Sequence, residues 1–163
     1  MVSEVAMRVL LVMKMKNKWE IKRVDIKEEF LNADLKEKIY VKMPKGWTET
    51  GGRLTDKVGI LHKALYGLKQ ASRAFFDCIR DTLINLGFEQ DKADCCLFKG
   101  QDIMIANYVD DLLVTGTKER MENFIMGLKR RYDLRIDDEL TEFVGMELCW
   151  ETRQRLKCCS RRY

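Results

Sequence analysis

Two apolar runs, Ile103-Met104-Ile105-Ala106 and Leu112-Leu113-Val114, flank the tetrapeptide Tyr108-Val109-Asp110-Asp111, and no other stretch constrains the fold as much. Short apolar runs on either side of acidic residues read as two buried strands joined at a bend. Carboxylates are seldom set against a buried sheet without a cation to compensate them. Hard Mg²⁺ takes oxygen ligands and shares them with substrate phosphates, so the Asp pair marks a candidate metal site. Taken alone, the tetrapeptide has a plainer reading as a solvated Asp-Asp turn.

The remaining composition narrows the class without fixing it. A chain of 163 residues supports one core, and a single domain over residues 1–163 is expected. The net charge of +4 is compatible with a polyanionic partner but does not demand one. Cysteines at 78, 95, 96, 149, 158 and 159 form no CxxC pair, and there is a single His, which argues against a zinc site. Adjacent cysteine pairs without a secretory signal read as reduced cytosolic thiols. No apolar run reaches the roughly 18 residues that span a bilayer, so no membrane partner is expected.

Periodicity predicts a mixed α+β chain. Residues 3–17 read as a helix with Val5, Val9, Val12 and Met13 on its inner face, followed by a strand over 19–26. A turn of helix over 27–33 and a strand over 39–43 come next. Pro44 then opens a loop with Gly46, Gly51 and Gly52 that leads to a strand over 58–62. Phe76, Ile79, Leu83 and Leu86 mark a helical stripe, with Gly87 as its C-terminal cap. Strands are predicted over 95–98, 103–108 and 112–115. Thr117 is placed to cap a last helix whose inner face is Met121, Phe124, Ile125 and Leu128. A final strand is predicted over 143–150. Arg153, Arg155, Lys157, Arg161 and Arg162 read as a solvated basic terminus, with phosphate contact as the alternative.

Asp25 ends one predicted strand as the Asp pair ends another. Successive strand side chains point to opposite faces, so Asp110 and Asp111 share one centre only if the chain bends between them. A third carboxylate from a second strand completes a site for two metals roughly 3.5–4 Å apart, the arrangement that drives in-line phosphoryl transfer. Spacing alone does not bring Asp25 to Asp110, and an isolated strand-end Asp is more simply a cap or a surface residue.

Four blocks then carry a family resemblance. Residues 19–35, containing Asp25 and Phe30, and residues 37–46 resemble the first catalytic block of copia-type retrotransposon reverse transcriptases. Leu65-Tyr66-Gly67-Leu68-Lys69-Gln70-Ala71 looks like that family's hallmark heptapeptide, and Tyr108-Val109-Asp110-Asp111 looks like its polymerase box. Phe143-Val144-Gly145-Met146-Glu147 is similar to the block that follows. The blocks stand in the family's order and cover nearly the whole chain.

The resemblance implies a polymerase palm, an antiparallel sheet backed by helices, with the fingers incomplete and the thumb absent. It also implies RNA-directed DNA polymerase activity on a primer-template with deoxynucleoside triphosphates, in a cytoplasmic virus-like particle. Asp25, Asp110 and Asp111 are then the acidic triad. Asp25 and Asp110 hold two Mg²⁺ ions, with Mn²⁺ as a substitute, and Asp111 lies more peripherally. Phe30 matches the aromatic position beneath the nucleotide sugar. Gly67 allows close approach to the template base pair, Lys69 reaches a phosphate, and Tyr108 flanks the primer end. Without the resemblance, Phe30 and Tyr108 read as core residues and Lys69 as solvated. Glu29 stands where the family carries a small residue near the triphosphate, and Ser72 where it carries proline. A carboxylate about 4 Å from phosphate repels it by about 4 kcal/mol at an effective dielectric near 20. The alternatives are therefore an inactive retrotransposon relic or a non-catalytic nucleic-acid-binding module.

Overall fold

The structure is a computed structural model that describes residues 2–44, 48–49, 52–53, 58–138, 140, 142–143, 146–152 and 155–160. The chain forms two compact units, one of Met1–Lys27 with Ile79–Tyr163 and the other of Glu28–Cys78. In chain order the elements begin with helix α1 (Glu4–Asn17), strand β1 (Glu20–Ile26), a 3₁₀ turn (Glu29–Asn32) and β2 (Asp34–Lys42). Next come β3 (Thr48–Glu49), β4 (Gly52–Arg53), β5 (Val58–Lys63), α2 (Ala71–Asn85), β6 (Glu89–Gln90) and β7 (Leu97–Gly100). The rest are β8 (Ile103–Tyr108), β9 (Asp111–Gly116), α3 (Lys118–Lys129), β10 (Leu134–Asp137), β11 (Glu142–Phe143), β12 (Met146–Thr152) and β13 (Arg155–Ser160).

The first unit is built on a six-stranded sheet in the order β10-β1-β9-β8-β7-β6. Every pairing is antiparallel. Helix α1 packs against β8 and β9, and α3 packs against β9. Phe98, Ile105, Leu112, Leu113 and Val114 are fully buried, so both faces of the central strands are covered. Each such side chain contributes about 1.5–3 kcal/mol, against about 1 kcal/mol for a helix cap. The packed strands therefore fix the geometry at their ends. A separate three-stranded sheet joins β11, β12 and β13. In the second unit β2 pairs with β5, and β3 with β4.

Helix α1 starts where Ser3 Oγ accepts the Ala6 N–H at 3.1 Å. Its inner face is Ala6, Met7, Leu10, Leu11 and Lys14, while Val5, Val9 and Val12 are exposed, which corrects the predicted stripe. Both sets have helical spacing, but Met7, Leu10 and Leu11 have longer side chains than valine and cover more area. In α2 the buried stripe runs through Ala71, Phe75, Ile79, Thr82 and Leu83. Phe76 is only half-buried and Leu86 is exposed, so the predicted face is rotated at both ends. Gly87 caps α2 as predicted. At φ 88° it lets its own N–H reach the Ile84 carbonyl and the Phe88 N–H reach that of Leu83.

Helix α3 buries Met121, Phe124, Ile125 and Leu128 as expected, but the Thr117 side chain makes no cap bond. The Thr117 N–H instead donates to the Asp102 carbonyl at 3.0 Å, which anchors the helix start to the β7–β8 turn. Strand β10 was not anticipated. The predicted 143–150 strand divides between β11 and β12. Arg155 and Lys157, from the predicted basic terminus, belong to strand β13. Gly46, Gly51, Val144, Gly145, Arg153, Arg161 and Arg162 lie outside the described residues. Cys95 and Cys96 form no disulfide, and the Cys78 thiol donates to the Asn32 carbonyl at 3.5 Å. Among the described residues no helix is long and apolar enough to cross a membrane.

Candidate active site

Asp25 sits near the end of β1, a strand paired on both sides. It lies directly opposite Asp111 of β9 and Arg135 of β10. Across the β8–β9 hairpin Asp111 is in turn opposite Tyr108. Register therefore puts Tyr108, Asp111 and Asp25 in one row on one face of the sheet.

Only Val109 and Asp110 separate the paired strand ends, so the bend that sequence required falls immediately before Asp111. Val109 has φ 55° and Asp110 has no positive φ, the sign pattern of a type II′ hairpin turn. Glycine normally takes the first position of that turn. A β-branched residue there costs about 1–3 kcal/mol, which the locked register on either side sustains. The Asp110 carbonyl accepts the Ile26 N–H at 3.0 Å, and the Lys27 N–H donates to the Asp133 carbonyl at 3.0 Å. The backbone after Asp25 is thus tied both to the turn and to the approach to β10.

The electrostatics centre on Arg23, which sequence reasoning did not single out. Its Nε and Nη2 donate to Asp111 Oδ1 and Oδ2 at 2.7 and 2.8 Å, a two-pronged charge-assisted pair. Two residues before Asp25, it shares that face, a signal present in the period of the strand. Desolvation pushes the Asp25 carboxyl above its ordinary value, and the Asp111 and Asp110 charges push it further, against Arg23 and Arg135. The Asp111 bond holds the Arg23 guanidinium above its ordinary value.

Asp25 thus feels the charges of Asp110 and Asp111 and of two guanidiniums, Arg23 and Arg135, while Arg23 also feels that of a fourth carboxylate, Asp137. The donors are all oxygen and the balance is two negative charges. That set fits a hard divalent cation. The donor atoms of Asp25, Asp110 and Asp111 do not all lie within 4.8 Å of one another. Among the described residues only Asp94, Cys95 and Cys96 meet that criterion. Both Asp94 oxygens accept backbone N–H groups, from Ser3 at 2.8 Å and Cys96 at 2.9 Å, so this group is a knot in a turn.

Asn107, immediately before Tyr108, was also missed. It is 1% exposed, and neither its amide nitrogen nor its amide oxygen has a hydrogen-bond partner. A single polar residue closing the apolar run 103–106 was the available signal. Tyr108 packs edge-on against Phe143, with ring centroids 6.4 Å apart.

Phe30, Gly67 and Lys69 belong to the second unit. Phe30, half-buried in the 3₁₀ turn, meets Tyr66 at 5.8 Å and the edge of Phe75 at 6.5 Å. Gly67 has φ 94°, and a Cβ there would meet nothing within 4 Å. Lys69 and Tyr66 are exposed, so the 65–70 segment is a surface turn entering α2.

Comparison with known proteins is consistent across the chain. The family model described as reverse transcriptase (RNA-dependent DNA polymerase) matches residues 2–163. The retrovirus-related Pol polyprotein from transposon RE1 of Arabidopsis thaliana is 32% identical over 151 residues, covering 90% of this chain and 10% of that protein. Its counterpart from transposon RE2 is 30% identical over 167 residues, covering 99% of this chain and 11% of that protein. The transposon Ty1-GR3 Gag-Pol polyprotein of Saccharomyces cerevisiae is 31% identical over 166 residues, covering 96% of this chain and 9% of that protein. The chain thus spans about a tenth of the length of the curated relatives it matches. It belongs to the reverse transcriptase family found in the Pol polyproteins of copia-type retrotransposons.

Proposed function

We propose that this chain is the palm of a copia-type RNA-directed DNA polymerase, one reverse transcriptase domain that extends a primer on an RNA or DNA template. The observation that carries this reading is the register of Asp25 opposite Asp111, with Asp110 in the adjoining turn. Asp25 and Asp110 are the residues to hold two Mg²⁺ ions, or Mn²⁺, with Asp111 at the periphery. Ions held there would supply the Lewis acidity that lowers the pKa of a primer hydroxyl and offsets charge on a departing pyrophosphate.

The protein groups divide the remaining work. Arg23 and Arg135 temper the repulsion among the carboxylates before substrate arrives. Tyr108, steadied by Phe143, offers its ring to the primer terminus. Phe30, buttressed by Tyr66 and Phe75, is a rigid surface to exclude a 2′-hydroxyl by contact alone. Gly67 offers close backbone approach and Lys69 a phosphate contact. Cytoplasmic particles are the setting this reading implies.

The test is primer extension on an RNA template with Mg²⁺ or Mn²⁺, beside Asp110→Asn. The expected outcome is extension by the native chain and its loss in the variant. No extension by either, or equal extension by both, overturns the reading. Glu29 favours the non-catalytic alternative, since its carboxylate would repel a triphosphate. Under that alternative Glu29→Ala restores extension to an otherwise silent chain.

A further inference from the structure

Arg23 lies between two carboxylates that it can reach from one backbone position. By register it is opposite Asp137 of β10, and it shares the sheet face that presents Asp111 of β9. Its guanidinium forks onto both oxygens of Asp111 at 2.7 and 2.8 Å. Asp137, by contrast, is engaged by Arg135 at 3.6 Å, too long for a hydrogen bond.

We propose that Arg23 competes with a divalent cation for Asp111, with Asp137 as the guanidinium's second partner. This rests on reading the carboxylate centre as a metal site. The competition follows from charge. A dication on either Asp111 oxygen would stand beside a guanidinium that already donates to both, and like charges at such range repel strongly. The freedom to yield lies with the arginine. Its side chain is 37% exposed, whereas that of Asp111 is 17% exposed and fixed at the first residue of a paired strand. Moving from Asp111 to Asp137 requires only new rotamers, because the three residues occupy neighbouring strands on one face. Each move leaves the arginine paired, so metal entry strands no buried cation.

The arrangement makes Arg23 a positioning residue. It sets where the Asp111 carboxylate points and how tightly the centre takes metal, without touching the reacting atoms. Glutamine at this position keeps hydrogen-bonding capacity but removes the charge. Lysine keeps the charge but loses the planar fork.

The test is Mn²⁺ binding to the full chain, followed by calorimetry and by paramagnetic relaxation of water. Arg23→Gln is expected to bind Mn²⁺ about tenfold more tightly than the native chain, with Arg23→Lys between them. Asp137→Asn is expected to weaken binding when Arg23 is present and to have little effect in the Arg23→Gln background. Equal affinities for the native chain, Arg23→Gln and Arg23→Lys would overturn the competition while leaving the metal centre intact. An Asp137→Asn effect of the same size in both backgrounds would overturn the transfer between carboxylates. No binding by any variant removes the metal reading itself, and the competition with it.

Discussion

Asn107 is buried at the end of β8 with a carboxamide that bonds to nothing, one residue before Tyr108. Such a group forfeits its hydration on folding and regains nothing, at about 1–3 kcal/mol. Asn107→Val is therefore expected to stabilise the chain by about 1 kcal/mol or more in urea unfolding, and a loss of stability would contradict this account. Asp94 behaves in the opposite way. Burial disfavours its charge, but the backbone N–H groups of Ser3 and Cys96 outweigh burial and hold its carboxyl below the ordinary value. An acid with a depressed folded value lends stability above its unfolded pKa and loses it as pH falls through the folded one. Asp94→Asn should thus lower the melting temperature near neutral pH, and the gap should close in acid. A gap unchanged across the pH series would show that Asp94 acts through shape alone.

At the scale of elements, two backbone positions set how well the pieces fit. α1 ends on Lys18 at φ 56°, with its N–H directed at the Lys14 and Met15 carbonyls, a conformation that glycine adopts more readily. Lys18→Gly should raise stability by up to about 1 kcal/mol, read as a shift in the urea midpoint. Gly116, at the end of β9, is the reverse case. A Cβ there would lie 2.6 Å from the Asp102 carbonyl oxygen and 3.0 Å from Ile103. Gly116→Ala is expected to cost about 1–3 kcal/mol, since the obstacle is backbone.

These elements also show what was readable in advance. The 103–116 hairpin and the inner face of α3 were legible because their apolar residues admit one periodic solution. α1 was misread because Val5, Val9 and Val12 compete with Met7, Leu10 and Leu11 for the same helix. β10 was missed because Leu134-Arg135-Ile136-Asp137 is four residues of alternation, too few to distinguish from a loop. At the site, the bend in the polymerase box followed from strand geometry, whereas the meeting of Asp25 with Asp111 is a long-range pairing that no local pattern encodes. Arg23 escaped because a charged residue two places from an acid reads as ordinary surface until its partner strand is known.

For the whole molecule, the decisive contact is between strands far apart in sequence. β1 is central rather than peripheral, enclosed by β9 and β10, so Asp25 meets Asp111 only after the sheet has closed around it. Contacts of such separation are costly to form and come at the end of an ordering process that local hairpins can begin without them. On the proposed metal reading, cation capture and β1 docking are one event. In urea, Mn²⁺ relaxation and far-ultraviolet dichroism should lose their signals at the same midpoint. A midpoint for metal loss well below that for the backbone would separate the two.

The same enclosure bears on how a retroelement product ages. Oxidation, heat or a nick anywhere that loosens β1 removes the acidic cluster outright instead of degrading it by steps. A population of such chains would hold copies with the Asp25–Asp111 pairing whole and copies without it, with few between them.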